Sequence, residues 1–295
     1  MRNFMIKLHD THVHLDILLA FLKMIPEIRE EIEEDNFLPN LSDQKRVEIV
    51  DKIDGLLANH DFVIQSTVSY TNYDFVQKLL GKQPKIKYLF GSHPELVNEK
   101  FDLKKYLQNQ AFFVKEKLPQ SFDLIGVGES GLDYHYTQNP ELIAIQKELF
   151  VSDIGLALDL NLPLVIHCRD AFGDLLDILK NFPKIHGNFL VHCYTGDKET
   201  LKQILDLGGK AAFGGIITFG KSAEPIREAL KYCPADSFVL ETDLPFLTPT
   251  PHRGQTNLPD FIQLVAQKAA EIRGVDSATI WQQSLGNTRG LFDID

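Results

Sequence analysis

Eight times along this chain a short run rich in Val, Ile, Leu and Phe gives way to a longer pattern of helical period. That alternation is the signature of a parallel sheet built from βα units. The predicted strands run from Ile6 to His12, Phe62 to Thr67, Ile86 to Phe90, Asp123 to Gly128, Leu164 to His167, Asn188 to His192, Ala211 to Gly214 and Phe238 to Glu241. Helical patterns follow them, for example from Leu142 to Leu160, Asp170 to Lys180, Lys198 to Leu207 and Asp260 to Ile272. Asp197 can cap the helix that begins at Lys198, and Gly208 stands where that helix should end. No repeat, low-complexity tract or Pro/Gly-rich linker divides the sequence, so residues 1–295 read as one closed (β/α)8 TIM barrel. The competing arrangement, an open doubly wound sheet, calls for a glycine-rich phosphate loop after the first strand, where this sequence has none.

The connection after the first predicted strand is enlarged, filling residues 17–60 and including the acidic run from Glu27 to Asp35. Ser42 followed by Asp43 marks a helix start, and Val47, Val50, Ile53 and Leu57 then recur at helical spacing. A segment after a barrel strand emerges on the active-site face, where its acidic charges would repel a long polyphosphate. A longer outer helix that solvates those charges is the other reading.

Hydrophobic residues make up 44% of the chain and charged residues 24%, enough for a sizeable core in a water-soluble protein. The formal net charge of −11 opposes broad attraction to nucleic acid, so a phosphate substrate must be gripped locally. The N-terminal region lacks the pattern of a secretory signal, and Leu15 to Ile25 is too short to span a bilayer. The expected setting is cytoplasmic, away from membranes. Three cysteines, Cys168, Cys193 and Cys233, form neither a disulfide framework nor a paired-thiolate zinc motif. Cys168 and Cys193 directly follow histidines, so on a strand each would point to the opposite face and act as a small buried apolar residue.

His12 and His14 flank Val13 at the end of the first predicted strand, and a period of two puts both imidazoles on one face. Glu129, His167, His192 and Asp243 each stand at the carboxyl end of a different strand, and in a barrel those ends converge. Gathering so many ionisable groups without a cation is costly, so the set reads as a metal site. Mixed imidazole and carboxylate ligands suit Zn, Mn, Co or Fe better than Mg, which prefers an all-oxygen shell though it is not barred. Six ligands exceed the need of one tetrahedral ion. Two divalent metal ions are therefore expected, with Glu129 the best-placed bridge and a water between them.

At this point the chain resembles the TatD family of metal-dependent deoxyribonucleases, within the amidohydrolase superfamily. The shared motifs are Asp10-Thr11-His12-Val13-His14-Leu15-Asp16, His93-Pro94, Gly128-Glu129-Ser130-Gly131-Leu132-Asp133-Tyr134 and His167-Cys168-Arg169. His192-Cys193-Tyr194-Thr195-Gly196, Glu241-Thr242-Asp243-Leu244-Pro245 and Arg253-Gly254 with Asn257 and Pro259 follow in the family's order. The resemblance implies a phosphodiesterase that removes nucleotides from DNA. It implies one metal on His12, His14 and Asp243, the other on His167 and His192, and Glu129 touching both. Asp243 would also be the general base, and His93 and Arg253 would contact the scissile phosphate. The sequence departs from the family pattern at Ser92, where an aliphatic residue is more usual, at Gln65-Ser66-Thr67 in place of a more glycine-rich strand end, and in the enlarged segment after Asp16.

Phosphodiester attack builds negative charge on the phosphate oxygens, so cations and a guanidinium or imidazole donor stabilise the transition state more than the ground state. Arg169 and Arg253 are candidates for the guanidinium, with a rim ion pair as the other reading for Arg169. His93 could supply the imidazole or simply form a turn. Tyr134 and Tyr194 could stack on a base or pack in the wall. Asp133 and Asp16 could orient the histidines or cap helices. Related metal barrels cleave amides and lactones as well as phosphoesters, so a small-molecule amidohydrolase or lactonase is the enzymatic alternative. A noncatalytic metal-binding module is the alternative of another class, although such a module has no use for a general base.

Overall fold

The computed structural model describes residues 7–25 and 42–295. Its strands are β1 Leu8–Val13, β2 His60–Gln65, β3 Ile86–Phe90, β4 Leu124–Asp133, β5 Leu164–Arg169, β6 Phe189–Val191, β7 Lys210–Phe213 and β8 Phe238–Leu240. They form one eight-stranded sheet in chain order, each strand parallel to the next. Helices α1 Leu15–Phe21 and α2 Asp43–Leu56 follow β1, and α3 Tyr70–Leu80, α4 Leu103–Glu116 and α5 Pro140–Leu160 follow β2, β3 and β4. Then come α6 Phe172–Lys180, α7 Lys198–Asp206 and α8 Glu224–Tyr232, while α9 Ile262–Arg273 and α10 Ser277–Phe292 both follow β8. A bridge from Val13 to Leu244 closes the ring, giving the (β/α)8 barrel that the eight alternations predict.

The closing seam is polar. The buried Asp10 carboxylate accepts the Thr242 hydroxyl at 2.6 Å, the Thr242 N–H at 3.0 Å and the His12 N–H at 3.2 Å. Asp243 N–H donates to the His12 carbonyl at 3.0 Å, and His14 N–H to the Leu244 carbonyl at 2.9 Å. These bonds set His12, His14 and Asp243 side by side although they belong to opposite ends of the chain.

Elsewhere the period of two divides the core. Phe62, Ile64, Leu89, Val165, Leu190, Ala212 and Val239 form one cluster with Leu291 and Phe292 of α10. Their strand neighbours, such as Val63, Ile166, Val191, Phe213 and Leu240, pack in the clusters that include the helices. Strands buried on both faces are the rule for parallel sheets. One inward step beyond Val165, Leu190 and Val239 come His167, His192 and Glu241, so the alternation that fills the barrel also aims these side chains into its carboxyl-terminal mouth.

The differences from expectation are local. β4 runs on to Asp133, and a register shift between Val127 and Ser130 interrupts its pairing with β5 at the stretch that carries Glu129. A second shift, between Asp10 and Val13, falls where His12 is carried. Such irregularities re-aim side chains beside active sites. Asp197 accepts the Thr200 N–H at 2.8 Å, and Gly208 takes φ +76° just beyond α7, as predicted. Helix α6 begins at Phe172 rather than Asp170, whose φ of +57° is not helical. Ser42 caps α2 through the Lys45 N–H. Its buried residues are Ile49 and Ile53, with Leu57 buried just past its end, whereas Val47 faces solvent. Cys168 is buried as expected, and Cys233 is buried too, but Cys193 lies past the end of β6 with φ +44° and is half-buried, so strand alternation does not govern it. Ile6 and the acidic segment 27–35 lie outside the described residues. Among the described residues no helix is long and apolar enough to cross a membrane.

Candidate metal centre

Glu129 lies at the middle of the converging strand ends, almost wholly buried. Its Oε2 is 3.0 Å from His12 Nε2 and 3.5 Å from His14 Nε2. Its Oε1 is 2.6 Å from His192 Nε2, 2.9 Å from His167 Nδ1 and 3.3 Å from His93 Nε2. Asp243 Oδ1 flanks the first group, 3.6 Å from His14 Nε2 and 3.9 Å from His12 Nε2. The six candidate ligands named from the sequence are thus brought together, and His93 joins them.

The arrangement fits cations. Ring nitrogens of His12 and His14 face each other at 3.3 Å, and those of His167 and His192 at 3.2 Å. Two imidazole nitrogens that converge in this way share either a proton or a cation. Burial disfavours charge on His14, yet the Asp243 and Glu129 carboxylates beside it raise it to about 9. Burial likewise opposes charge on His167, but Asp133 and Glu129 raise it to about 9. The carboxylates of each half thus favour positive charge beside them. Burial alone would push Glu129 up, but the charges of His192, His12 and His93 carry it well below the usual carboxylate range. Asp243 is lowered in the same way, its burial outweighed by the neighbouring His14 and His12.

The surroundings hold these groups in place. His167 is engaged on its outer side, where Nε2 lies 3.0 Å from Asp133 Oδ2, and the other Asp133 oxygen accepts the His135 N–H at 2.8 Å. Asp133 thus orients a histidine, as one of its two sequence readings proposed. Asp16 is instead held by Gln65 and Asn72, each at 3.0 Å, and Gln65 also accepts the Leu15 N–H at 2.7 Å. Asp243 sits past the end of β8 with φ +56°. The buried Asn257 braces that loop through the carbonyls of Thr242, at 3.0 Å, and Phe246, at 2.7 Å. Gly131 pairs with His167 across β4 and β5 at φ +151°. A Cβ there would lie 2.9 Å from the His167 carbonyl carbon and closer still to its oxygen, so only glycine lets the two strands meet.

The predicted substrate contacts lie in less uniform surroundings. His93 is buried, and its Nδ1 accepts the Glu95 N–H at 3.2 Å, which leaves the proton of the neutral ring on Nε2, facing Glu129. Arg169 donates to the Tyr136 hydroxyl at 3.2 Å, and its guanidinium carbon lies 5.2 Å from that ring, so its partner is a phenol rather than the carboxylate of a rim ion pair. Arg253 is exposed, with its guanidinium carbon 3.7 Å from the centre of the Phe219 ring and a bond to the Thr248 carbonyl at 3.1 Å. Tyr134 is half-buried and donates to Asp174 at 2.7 Å. Tyr194 is buried wall, donating to the Asp197 carbonyl at 2.5 Å.

Sequence reasoning assigned no role to Glu241. It is fully buried, accepts the Cys193 N–H at 2.5 Å and lies 3.9 Å from His192 Nδ1. With His12 and His192 it forms a further group of metal-ligating type. The signal was its inward step beyond Val239.

Comparison with known proteins agrees with this geometry. A family model described as TatD related DNase matches residues 9–293. The metal-dependent hydrolase YcfH of Escherichia coli strain K12 is 34% identical over 234 residues, which cover 79% of this chain and 84% of that protein. A 3'-5' ssDNA/RNA exonuclease TatD of Erwinia tasmaniensis is 33% identical over 184 residues, covering 60% of this chain and 70% of its own. The crystal structure of YjjV, a TatD homologue from Escherichia coli, superposes with a TM-score of 0.77 at 23% identity, covering 99% of this chain and 100% of that one, and shows the same fold.

Proposed function

Because the chain belongs to the TatD-related DNase family and is a hydrolytic enzyme, we propose that it is a two-metal phosphodiesterase, an exonuclease acting on single-stranded or frayed DNA. The observation that carries this reading is the division of Glu129, whose Oε2 faces His12 and His14 while its Oε1 faces His167 and His192. His12, His14 and Asp243 would hold one divalent ion and His167 and His192 the other, with Glu129 touching both. The donor set favours Zn, Mn, Co or Fe over Mg. Bound ions would supply Lewis-acid charge at the phosphoryl oxygens.

Asp243 would accept the proton of the attacking water, a role supported by a carboxylate held in its anionic form with 13% of its side chain exposed. The His93 Nε2–H and the Arg253 guanidinium would donate to the scissile phosphate, with Arg169 a further donor and Tyr134 a surface for a base. Gripping by a few such donors suits a chain whose net charge of −11 gives no general attraction for nucleic acid. The name of the Erwinia relative, which covers both DNA and RNA, supports a nucleic-acid substrate.

The test is elemental analysis of the purified protein, followed by turnover of an end-labelled single-stranded oligonucleotide before and after chelation and with each metal restored. Stepwise shortening that chelation abolishes is expected. Turnover of a panel of cyclic amides and lactones with no cleavage of the oligonucleotide would replace this reading by a small-molecule amidohydrolase or lactonase. Bound metal with no turnover of any substrate would leave a noncatalytic metal-binding module.

A further inference from the structure

Behind His93 lies a second cluster of buried polar groups, distinct from the proposed metal ligands. Asp153, on α5, has no exposed surface. Its Oδ2 accepts the Ser92 backbone N–H at 2.9 Å, and its Oδ1 accepts an N–H of Gln110 at 3.1 Å and the Ser92 hydroxyl at 3.4 Å. The Ser92 oxygen in turn accepts the Tyr106 hydroxyl at 3.0 Å and the other N–H of Gln110 at 2.9 Å. Each proton donated within this network meets an acceptor, and the Ser130 hydroxyl adds a further pull on Asp153. Five protons, from Ser92 (two), Gln110 (two) and Tyr106, are met by three acceptances at Asp153 and two at Ser92. The scheme asks Asp153 only to accept, as an ionised carboxylate does.

This carboxylate is matched by hydrogen-bond donors rather than by an ion pair. Burial pushes it up to about 6, against the pull of Ser130, Gln110 and Ser92. An apolar pair of the same volume would fill the space without that cost, so what the charge adds is direction. The peptide it grips is the one immediately before His93, and His93 N–H is itself tied to the Val68 carbonyl at 2.9 Å. Ser92 thereby gains a partner in α5. We propose that Asp153 is a positioning residue that fixes the peptide entering His93, and so holds the His93 Nε2–H at the Glu129 edge of the centre. The functional part of this proposal rests on the reading that His93 donates to the scissile phosphate.

The experiment uses the full-length metal-loaded protein and a labelled single-stranded oligonucleotide. Asp153→Leu should lower kcat about tenfold to a hundredfold while KM and metal content hold, since small misplacements of a catalytic donor cost that much. Asp153→Asn, which keeps one acceptor oxygen, should recover most of the loss, and Asp153→Leu should cost little more in a His93→Ala background. Equal losses in both backgrounds, or unchanged turnover in Asp153→Leu, would overturn the proposal. A second readout needs no substrate: the His93 ring 15N and N–H resonances should shift or broaden in Asp153→Leu. Should the parent cleave no oligonucleotide, the proposed function has failed while this resonance still judges the positioning, and an unmoved signal rejects it. If Asp153→Leu does not fold, Asp153→Asn carries both readouts, with a partial loss and a shifted signal expected and parent-like behaviour in both overturning the idea.

Discussion

His167 is held from both sides, its Nδ1 2.9 Å from Glu129 Oε1 and its Nε2 3.0 Å from Asp133 Oδ2. The Asp133 bond fixes which nitrogen faces the centre and makes the ring a better ligand.

Asp133→Asn should therefore weaken metal binding about 10–100-fold with little change in thermal stability. Titration of the apoprotein with Zn or Mn measures it. A parent-like affinity would mean that packing alone orients His167.

Asp243→Asn keeps the volume of the side chain and loses the proton-accepting charge. Oligonucleotide turnover should fall at least about a hundredfold, while metal content falls only in part. Near-normal hydrolysis would assign the base to another group, with Glu129 the next candidate.

Gly131→Ala places a methyl group against the His167 backbone at a φ that disfavours any side chain. The expected cost is about 2–4 kcal/mol of stability, with metal binding impaired because His167 must move. Urea unfolding monitored by circular dichroism reads the first, and a midpoint equal to that of the parent counts against the close approach.

Acid should act through the far end of the barrel. Burial lowers His60 from 6.5 to about 4 and His9 to about 3, so folding favours their neutral forms. The stability that each contributes is complete above pH 6.5 and is lost as pH falls toward 4 for His60 and 3 for His9. Asp10 and Asp153, raised by burial to about 7 and about 6, work in the opposite sense, so the slope of the parent alone is ambiguous. The difference is not. In His60→Leu the fall in stability between pH 6.5 and 4 should be shallower than in the parent by up to about 1.4 kcal/mol per pH unit. Parallel curves would show that His60 does not titrate with unfolding.

The strands and most of the centre were legible because one rule, the period of two, governs both core filling and the aim of the side chains at the strand ends. His12 with His14, His167 and His192 follow from it. Cys193 was misread because its φ of +44° departs from the extended backbone that the rule assumes, and Glu241 was passed over although it obeys the alternation. The bonds from Asp153 to Ser92 cross 61 residues, and a polar residue within a helical pattern gives no sign of whether it meets water or a buried peptide. Helix α10 was missed as well, although Asp276 caps it, and its Leu291 and Phe292 pack with the residues inside the barrel.

The seam between Asp10 and Thr242 spans 232 residues, and beside it Asp243 joins His12 and His14. Both histidines are synthesised long before Asp243. High sequence separation of this kind makes closure a late and slow event in folding. Until the eighth strand docks on the first, the general base proposed here has no ligands beside it, so incomplete or truncated chains would lack the assembled centre. With Asp243 as the proposed base, hydrolytic competence would wait on closure of the barrel.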